Sequence, residues 1–545
     1  MSTIPENYLP IPENLPDKIY PLPEVRLPYL LNPCQYFLDR HIEQGRGEQV
    51  AIIHRQRLIT FNEFRSEVNR LANALAARGI AKYDRVMVRM PNRPEFIITC
   101  FACWRLGAIP VLTHHLLQSK DIAFRANDSD AKAIVVSADT FGPVREALNR
   151  CPTLKTVVVT QEPMDGHLFY DDFIADQLEE SATVETTRKD WLRIIYSSGT
   201  TGNPKGIISE IGDMVAGIRV ANKYLLKLKP DEVLGSPPAF TFAFGFFSIL
   251  FFGESGCTLC IREDFDPEAM FQEIQDRRIN VLRCVPTGLR MMLEMADAEK
   301  RWNLSSLRLC QSAGEVLPAT VVKKWKDRFG VYILNSMGSA ELNSYISTRE
   351  QMPEDKMGSL GTALPSVDYR IVGEDLQEVP PGSLGELVVR APWGQVYWRR
   401  PEVQEKNVVN GWNRTGLMFQ VDDDGYFWLK GRSDDMIVSS GYKIPGGEVE
   451  EALLSHPAVH EAAVVPSPEP IRGFLVKAFV VLKEEHPDPE ALAEELKDHV
   501  KSTIEPYKYP RVIEFVRGDE LPRTTTGKIQ RFILREREAQ QNSPE

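Results

Sequence analysis

The sequence contains no apolar run long enough to cross a bilayer. Its most apolar stretch, residues 242–253, falls short of the roughly 18 to 20 residues that a membrane helix needs. It also has no excess of basic residues, since 64 Lys and Arg stand against 76 Asp and Glu. A nucleic-acid partner would require a clustered basic surface, so none is expected. Residues 5–33 are acidic and proline-rich instead of a basic region followed by an apolar one, which predicts a cytoplasmic protein.

Cysteine is scarce, with eight in 545 residues. Two pairs have C-x-x-C spacing, Cys100/Cys103 and Cys257/Cys260, and four thiolates could in principle bind zinc. The first pair lies in residues 95–107, an apolar segment typical of a helix that ends at a glycine, and the second flanks a predicted short buried strand. Because cysteine is among the most buried residue types, reduced and buried thiols are the favoured interpretation.

The chain is too long for one hydrophobic core, and its length suggests roughly three or four structural units. Apolar residues recur at helical spacing from 60 to 78, and helical patterns at 94–106 and 121–127 alternate with strand-like runs. The predicted strands are residues 85–90, 108–112 and 133–137. This alternation predicts helices packed on a mainly parallel sheet.

After residue 371 the sequence pattern changes to short β-like runs, such as 385–390 and 425–430. The Gly-Arg-Ser-Asp-Asp run that begins at Gly431 interrupts this pattern, and strand and helix signals alternate after it. We therefore predict an α/β protein in two parts: a large N-terminal domain of helix-flanked sheets plus a β-rich subdomain (1–431), and a small mobile α+β C-terminal domain (432–545).

A run of small, hydroxyl and glycine residues follows the β-branched segment 192–196. Residues 197–206 read Ser-Ser-Gly-Thr-Thr-Gly-Asn-Pro-Lys-Gly. Glycine lets backbone N–H groups approach an anion, hydroxyls add donors and Lys205 adds charge, so the run suits a polyphosphate. A plain turn-rich loop is the alternative. The run is not a Walker A loop, because Pro204 replaces the second glycine and Gly206 follows the lysine, which disfavours a kinase or GTPase.

This run resembles the signature of the adenylate-forming superfamily. The superfamily includes acyl- and aryl-CoA synthetases, luciferases and the adenylation domains of peptide synthetases. Four further segments resemble that family's motifs in the same order: 312–318, 335–341, 431–437 and 521–531. The resemblance covers nearly the whole chain. It implies an enzyme that uses ATP and Mg²⁺ to convert a carboxylic acid into an acyl-adenylate and then forms a thioester with coenzyme A.

The resemblance also implies roles for individual residues. Lys528 and Lys205 are the catalytic cations, Glu341 and Thr200 hold magnesium, and Asp434 marks the hinge. The loop 440–443 enters the site in a second domain orientation, and Arg472 is a candidate for a coenzyme A phosphate. The implied nucleotide and coenzyme A contacts are Ser197, Ser198, Gly199, Thr200, Thr201, Gly202, Lys205, Gly314, Glu315, Asn335, Met337, Gly338, Ala340, Leu417, Arg432, Gly441, Tyr442, Lys443 and Arg472.

Three positions depart from the family pattern. Leu417 stands where the family has a ribose-binding aspartate, Ala340 replaces a threonine, and Met337 replaces an adenine-stacking tyrosine. Leucine cannot accept a hydrogen bond. An alternative hypothesis is therefore a nucleotide- or acyl-binding member of the family with impaired adenylation.

The acid is predicted to be aromatic or medium-chain. Residues 236–245 resemble benzoate and 2-aminobenzoate CoA ligases, whereas 440–442 and 506–515 resemble medium-chain acyl-CoA synthetases. Coenzyme A is the expected acceptor because the chain ends soon after the Lys528 motif. The predicted substrate residues are Phe240, Phe242, Gly245 and Gly338. The wall that Phe240 and Phe242 would form shows no cation or hydrogen-bonding partner for a polar substituent of the acid. His114 and His115 are expected to be structural.

Overall fold

The computed structural model describes residues 10–197, 204–314, 317–439, 442–469, 473–523 and 529–541. The chain divides into two compact units. The first comprises Met1–Ser198, Pro204–Tyr369 and Val389–Asn413. The second comprises Gly199–Asn203, Arg370–Val388 and Arg414–Glu545.

The strands of the described residues fall mostly in the first unit. In chain order they are β1 (Val50–His54), β2 (Arg57–Thr60), β3 (Arg85–Arg89), β4 (Ile109–Leu112), β5 (Ala133–Ser137), β6 (Thr156–Thr160), β7 (Leu168–Phe169), β8 (Trp191–Ser197), β9 (Lys205–Glu210), β10 (Val233–Ser236), β11 (Thr258–Ile261), β12 (Val281–Arg283), β13 (Leu309–Ser312), β14 (Tyr332–Ser339), β15 (Asn343–Ser347), β16 (Thr362–Ala363), β17 (Asp368–Val372), β18 (Gly385–Arg390), β19 (Val396–Tyr397), β20 (Val408–Val409), β21 (Trp412–Val421), β22 (Phe427–Arg432), β23 (Met436–Ser439), β24 (Tyr442–Pro445), β25 (Val459–Glu469), β26 (Gly473–Leu482) and β27 (Val512–Phe515).

The α-helices alternate with these strands over much of the chain. They are α1 (Phe61–Ala77), α2 (Pro94–Leu106), α3 (Ser119–Asp128), α4 (Gly142–Ala147), α5 (Tyr170–Ala175), α6 (Ile211–Ala221), α7 (Ala243–Ser255), α8 (Pro267–Asp276), α9 (Pro286–Glu294), α10 (Ala298–Arg301), α11 (Ala319–Phe329), α12 (Pro401–Asn407), α13 (Gly446–Leu454), α14 (Pro489–Thr503) and α15 (Arg531–Gln541).

Two large sheets dominate the first unit. One has nine strands in the order β16-β15-β14-β13-β12-β10-β11-β1-β2, and the other has eight in the order β19-β9-β8-β4-β3-β5-β6-β7. Their central strands pair in parallel, and antiparallel strands lie at the edges, such as β2 on β1 and β9 on β8. The prediction of helices on a mainly parallel sheet is confirmed.

Apolar side chains of both sheets and of α1, α2, α6 and α7 form one continuous core. The ends of two of these helices follow from local sequence. Thr60 caps α1 in a reciprocal arrangement with Glu63, and Gly107 ends α2 in the left-handed conformation. Almost every residue of α2 and α7 is buried, which explains why both segments are apolar on all sides.

The second unit contains a small three-stranded sheet, β25-β26-β27, and the hairpin β23-β24. Helices α13 and α14 pack on apolar residues of these strands. A further five-stranded sheet has the strand order β17-β18-β21-β20, and β22 also pairs with β21. The β-rich segment predicted after residue 371 is therefore present.

All eight cysteines are buried free thiols. Burial raises the pKa of the Cys257 thiol to about 12 and holds the pKa values of Cys100, Cys103 and Cys260 above their usual range. These thiols stay protonated at neutral pH. Among the described residues, no helix is both long and apolar enough to cross a membrane.

Candidate functional site

The predicted phosphate loop joins two paired strands. β8 ends at Ser197 and β9 begins at Lys205, and these two residues lie opposite each other in an antiparallel pair. The Tyr196 hydroxyl donates to Asp128 Oδ2 at 2.7 Å, and the Gly206 carbonyl accepts from the Trp398 backbone N–H at 2.9 Å. The base of the loop is thus fixed. The other predicted contacts of this loop, Ser198, Gly199, Thr200, Thr201 and Gly202, lie outside the described residues.

Two further predicted nucleotide segments lie side by side in the nine-stranded sheet. β13 and β14 are parallel neighbours, and Ser312 at the end of β13 lies opposite Asn335. Gly314 follows with φ +91°, a conformation that favours glycine, and Glu315 lies outside the described residues. The structure therefore brings together two motifs that are separated in the chain.

Glu341 occupies the turn of the hairpin between β14 and β15, directly after Ala340. The Glu341 backbone N–H donates to Ser339 Oγ at 3.3 Å. Burial first, and then the Glu341 carboxylate, raise the pKa values of Tyr345 and Tyr397. Glu341 therefore places a negative charge among buried aromatic hydroxyls.

Gly338 lies where the hairpin strands approach most closely. A Cβ atom there would lie 2.2 Å from the Asn343 carbonyl oxygen, which no real structure permits. Met337, the preceding residue, pairs with Ile346, and the register shifts between Met337 and Gly338. The glycine is thus required by the bulge that turns this strand toward Glu341.

The predicted substrate residues are divided by the start of α7. Phe240 is buried and its ring centroid lies 5.7 Å from that of Phe96, whereas Phe242 is half-exposed and lies 4.8 Å from His114. Gly245 lies in the first turn of the helix, where a Cβ atom would meet the Ala239 carbonyl oxygen at 2.2 Å. Neither a strand nor a turn at Gly245 is present: a helix begins at Ala243.

His114 and His115 stack on each other with ring centroids 4.5 Å apart. Burial lowers the pKa of His114 to about 4 and also lowers that of His115. Both rings are therefore neutral at pH 7. His114 joins this pair to Phe242, so the two histidines border the predicted acid segment.

One face of the nine-stranded sheet changes from apolar to polar at the carboxyl ends of its strands. Apolar residues of β10, β12, β13 and β14 belong to the core, and a polar residue follows two positions later on each strand. Residues two apart on a strand share a face. The polar row consists of Ser236, Arg283, Gln311 and Ser336.

The members of this row are joined by hydrogen bonds. Arg283 Nε donates to Gln311 Oε1 at 2.8 Å, and Gln311 Nε2 donates to Ser336 Oγ at 2.9 Å. The Ser336 and Ser347 hydroxyls are 2.9 Å apart, and those of Ser236 and Ser248 are 2.6 Å apart. A continuous polar path therefore crosses the sheet beneath the predicted nucleotide segments.

Arg283 brings a cation into the predicted acid segment. Its Nη1 donates to the Phe244 carbonyl at 2.7 Å and to the Ser248 hydroxyl, and its guanidinium carbon lies 4.2 Å from the centroid of the Phe244 ring. Burial lowers the pKa of Arg283 to about 9. A buried cation therefore lies beside the predicted acid segment, although the segment's own residues include none. The signal was an arginine inside the otherwise apolar strand that begins at Val281.

A second buried arginine, Arg193, lies beside α7 on strand β8 of the eight-stranded sheet. The Arg193 guanidinium carbon is 4.5 Å from the centroid of the Phe246 ring, and Nε donates to Ser209 Oγ at 3.2 Å. Nη1 and Nη2 have no hydrogen-bond partner within the described part of the chain. Burial lowers the pKa of Arg193 to about 9, opposed by nearby Cys100 and Glu341.

Within the second unit, Leu417 on β21 lies opposite Arg432 on β22. Arg432 is 3.9 Å from Asp435, which also pairs with Arg535. Ser439 and Tyr442 form the last described pair of the β23-β24 hairpin, and residues 440 and 441 lie outside the described residues. Asp434, Tyr442 and Lys443 are described only in their backbone, and Gly441, Arg472 and Lys528 lie outside the described residues.

Comparison with known proteins agrees with this arrangement. Residues 38–398 match the AMP-binding enzyme family and residues 448–528 match the AMP-binding enzyme C-terminal domain. The chain is 34% identical to a benzoate–CoA ligase of Thauera aromatica over 94% of its own length and 97% of the ligase. It is 35% identical to the mitochondrial acyl-coenzyme A synthetase ACSM4 of Mus musculus, over 93% and 87% of the two chains.

Solved structures lead to the same group. The anthranilate CoA ligase AuaEII in complex with anthranoyl-AMP superposes with a TM-score of 0.86 at 31% identity, over 95% of this chain and 99% of the ligase. A benzoate CoA ligase from Burkholderia xenovorans LB400 superposes with a TM-score of 0.82 at 28% identity, over 93% and 100%. The chain belongs to the adenylate-forming AMP-binding enzymes, in their acyl- and aryl-CoA synthetase branch.

Proposed function

We propose that this enzyme activates an aromatic or medium-chain carboxylic acid with ATP as an acyl-adenylate, and then transfers the acyl group to coenzyme A with release of AMP. Pyrophosphate leaves in the first step. The observation that carries the proposal is the alignment of Ser312, the last residue of β13, with Asn335, the last residue of β14 that pairs with β13, because open α/β sheets bind ligands where their parallel strands end.

The adenylation step brings a carboxylate against a phosphate, so cations must face both. Lys205 supports this role because it is held at the base of the phosphate loop, opposite Ser197. Lys528 is proposed as the cation that bridges the carboxylate and the α-phosphate. Glu341 offers a hard oxygen ligand at the partly buried turn of the β14-β15 hairpin and fits Mg²⁺, which would neutralise phosphate charge when bound, with Thr200 as the second proposed ligand.

The second step is assigned to the C-terminal part of the chain. We propose that residues 432–545 form a mobile domain that turns about Asp434 and presents either Lys528 or the loop at 440–443. Gly441, Tyr442, Lys443 and Arg472 are the proposed coenzyme A contacts. Arg432 is proposed to bind ribose or phosphate from the start of this domain.

The acid is proposed to lie beside α7. Phe242 and Gly245 lie at the start of α7, where Gly245 allows the helix to approach the Ala239 carbonyl oxygen closely. Phe242 offers a half-exposed aromatic surface, while Phe240 packs against Phe96 and shapes the wall from behind. Such a wall favours a ring or an alkyl chain.

A second candidate function is a nucleotide- or acyl-binding protein with impaired adenylation. It is favoured by Leu417, which offers no hydrogen-bond acceptor, and by Ala340, which lacks the hydroxyl of the family's threonine. Met337 likewise provides no aromatic ring for adenine. The two functions differ in whether pyrophosphate exchange occurs.

ATP–pyrophosphate exchange, followed by thioester formation with coenzyme A, tests the proposal. The panel is benzoate, 2-aminobenzoate, hexanoate and octanoate. Exchange and thioester formation with at least one acid are expected from the unmodified protein. Absence of exchange in the native chain together with strong exchange in Leu417→Asp would overturn the proposal in favour of the impaired enzyme.

A further inference from the structure

Arg283 carries a buried positive charge that no described acidic side chain balances. Arg283 is 1% exposed. The groups that accept its hydrogen bonds are all neutral: the Gln311 side chain, the Ser248 hydroxyl and the Phe244 carbonyl. Burial alone shifts its pKa. An isolated buried charge destabilises the folded state, and an apolar residue of similar volume would avoid that loss of stability. Retention of the arginine therefore calls for an anion.

The position of Arg283 indicates which anion this is. Arg283 is the last residue of β12, at the sheet edge where ligands bind in open α/β folds. Its Nη1 holds the carbonyl of Phe244, next to Gly245, and its hydrogen-bonded path reaches Ser336, two residues before Gly338. Arg283 thus lies between the two segments proposed to hold the acid.

The guanidinium is also oriented in advance. Nε and Nη1 are both engaged, which fixes the plane of the group, while Nη2 has no partner among the described residues. The buried hydroxyl of Thr241, next to Phe240, likewise has no hydrogen-bond partner in the described chain. A ligand oxygen would satisfy groups that the protein leaves unpaired.

We propose that the substrate of this enzyme is a dicarboxylic acid with an apolar body, and that Arg283 binds the carboxylate that is not activated. The inference rests on the proposed ligase function. The Phe244 and Phe251 rings lie 4.2 and 4.9 Å from the Arg283 guanidinium carbon and provide the apolar surroundings. One carboxylate is converted to the thioester, and the other balances the buried guanidinium.

The test compares acids that differ only in a second carboxylate: benzoate with isophthalate and terephthalate, and hexanoate with adipate. kcat/KM for thioester formation is measured for the full-length protein and for Arg283→Gln and Arg283→Met. The native enzyme is expected to favour one diacid over its monoacid, and both variants are expected to lower that ratio about tenfold to a hundredfold, as loss of a charge-assisted pair does.

Arg193→Met is the matched control, because Arg193 is equally buried against α7 but bonds to Ser209 on the other sheet and, unlike Arg283, is near a carboxylate, that of Glu341, which opposes the lowering of its pKa by burial. It is expected to lower stability and leave the diacid-to-monoacid ratio unchanged. An arginine with a purely structural role at position 283 would lower kcat/KM for both acids alike. A native enzyme that prefers every monoacid, or variants that keep the native ratio, would overturn the proposal.

Isothermal titration with the same diacids separates this inference from the proposed function. If no acid forms a thioester, the ligase proposal fails, and diacid binding that weakens in Arg283→Gln still supports the anion site. If monoacids react but no diacid binds the native protein, only the anion site fails. Circular dichroism shows whether the variants fold, and the native panel decides the question if they do not.

Discussion

Leu417 and Arg432 lie directly opposite each other on the antiparallel strands β21 and β22. Opposite residues of such a pair project from the same face of the sheet. The residue proposed to contact ribose or phosphate therefore shares its face with an apolar side chain that offers no hydrogen-bond acceptor. The neighbouring Gly416 N–H is already bonded to Glu386, a carboxylate that also holds Arg414.

Replacement of Leu417 by Asp should strengthen nucleotide binding. The new carboxylate would accept hydrogen bonds from ribose hydroxyls, and such bonds contribute about 1.5 to 3 kcal/mol each. We expect the KM for ATP in pyrophosphate exchange to fall about tenfold or more. Leu417→Met is the control and should leave KM near its native value. Equal KM values in native protein and Leu417→Asp would show that this position does not face the nucleotide.

Gly338→Ala should destabilise the β14-β15 hairpin. The added methyl group would lie 2.2 Å from the Asn343 carbonyl oxygen, so the two strands must separate. Overpacking of this kind costs about 1 to 3 kcal/mol, which urea unfolding followed by tryptophan fluorescence can measure. Gly142→Ala is the matched control, because no atom lies within 4 Å of its added Cβ. A stability equal to that of the control would contradict the close approach.

Local sequence predicted the helices and strands that local chemistry determines. α2 runs from Pro94 to Leu106 as expected, because proline begins it and Gly107 ends it. α1 lies within the predicted residues 60–78, because Thr60 caps its first turn. The strand β5 has its predicted bounds, since a β-branched run of that length fits one buried strand.

The polar row could not be predicted in this way. Arg283, Gln311 and Ser336 become neighbours only through the pairing of β12, β13 and β14, which no local pattern specifies. The environment of Phe240 and Phe242 was equally inaccessible, because an all-apolar segment has no periodicity that distinguishes a helix from a strand. The prediction of Glu341 as a site residue came from resemblance, and its charge among buried tyrosines is a tertiary property.

Glu341→Gln should raise the Mg²⁺ concentration that pyrophosphate exchange requires. The amide keeps the size of the side chain but loses the negative charge that favours a divalent cation. We expect the concentration for half-maximal exchange to rise roughly tenfold or more. Glu350→Gln, shortly after β15, is the control and should leave the requirement unchanged. An unaltered Mg²⁺ dependence in Glu341→Gln would remove this carboxylate from the metal site.

His41 should make the first unit sensitive to acid. His41 Nε2 donates to the Gly253 carbonyl at 2.7 Å, and Nδ1 accepts from Arg46 at 2.6 Å, so the bonded ring is neutral. Burial, assisted by the charges of Arg40 and Arg46, lowers the pKa of His41 from 6.5 to about 4. Its contribution to stability is therefore complete above pH 6.5 and is lost as the pH falls toward 4.

This loss amounts to about 3 kcal/mol, since each pKa unit corresponds to about 1.4 kcal/mol. His41→Gln keeps a donor for Gly253 but cannot titrate. The variant should be less stable than the native protein at pH 7. The difference in stability should shrink as the pH is lowered to 5, because only the native protein loses the contribution of His41. Carboxylates protonate equally in both chains, so they do not affect the difference. Urea unfolding at several pH values measures this difference. Stability curves that remain parallel would show that His41 is not held neutral by its surroundings.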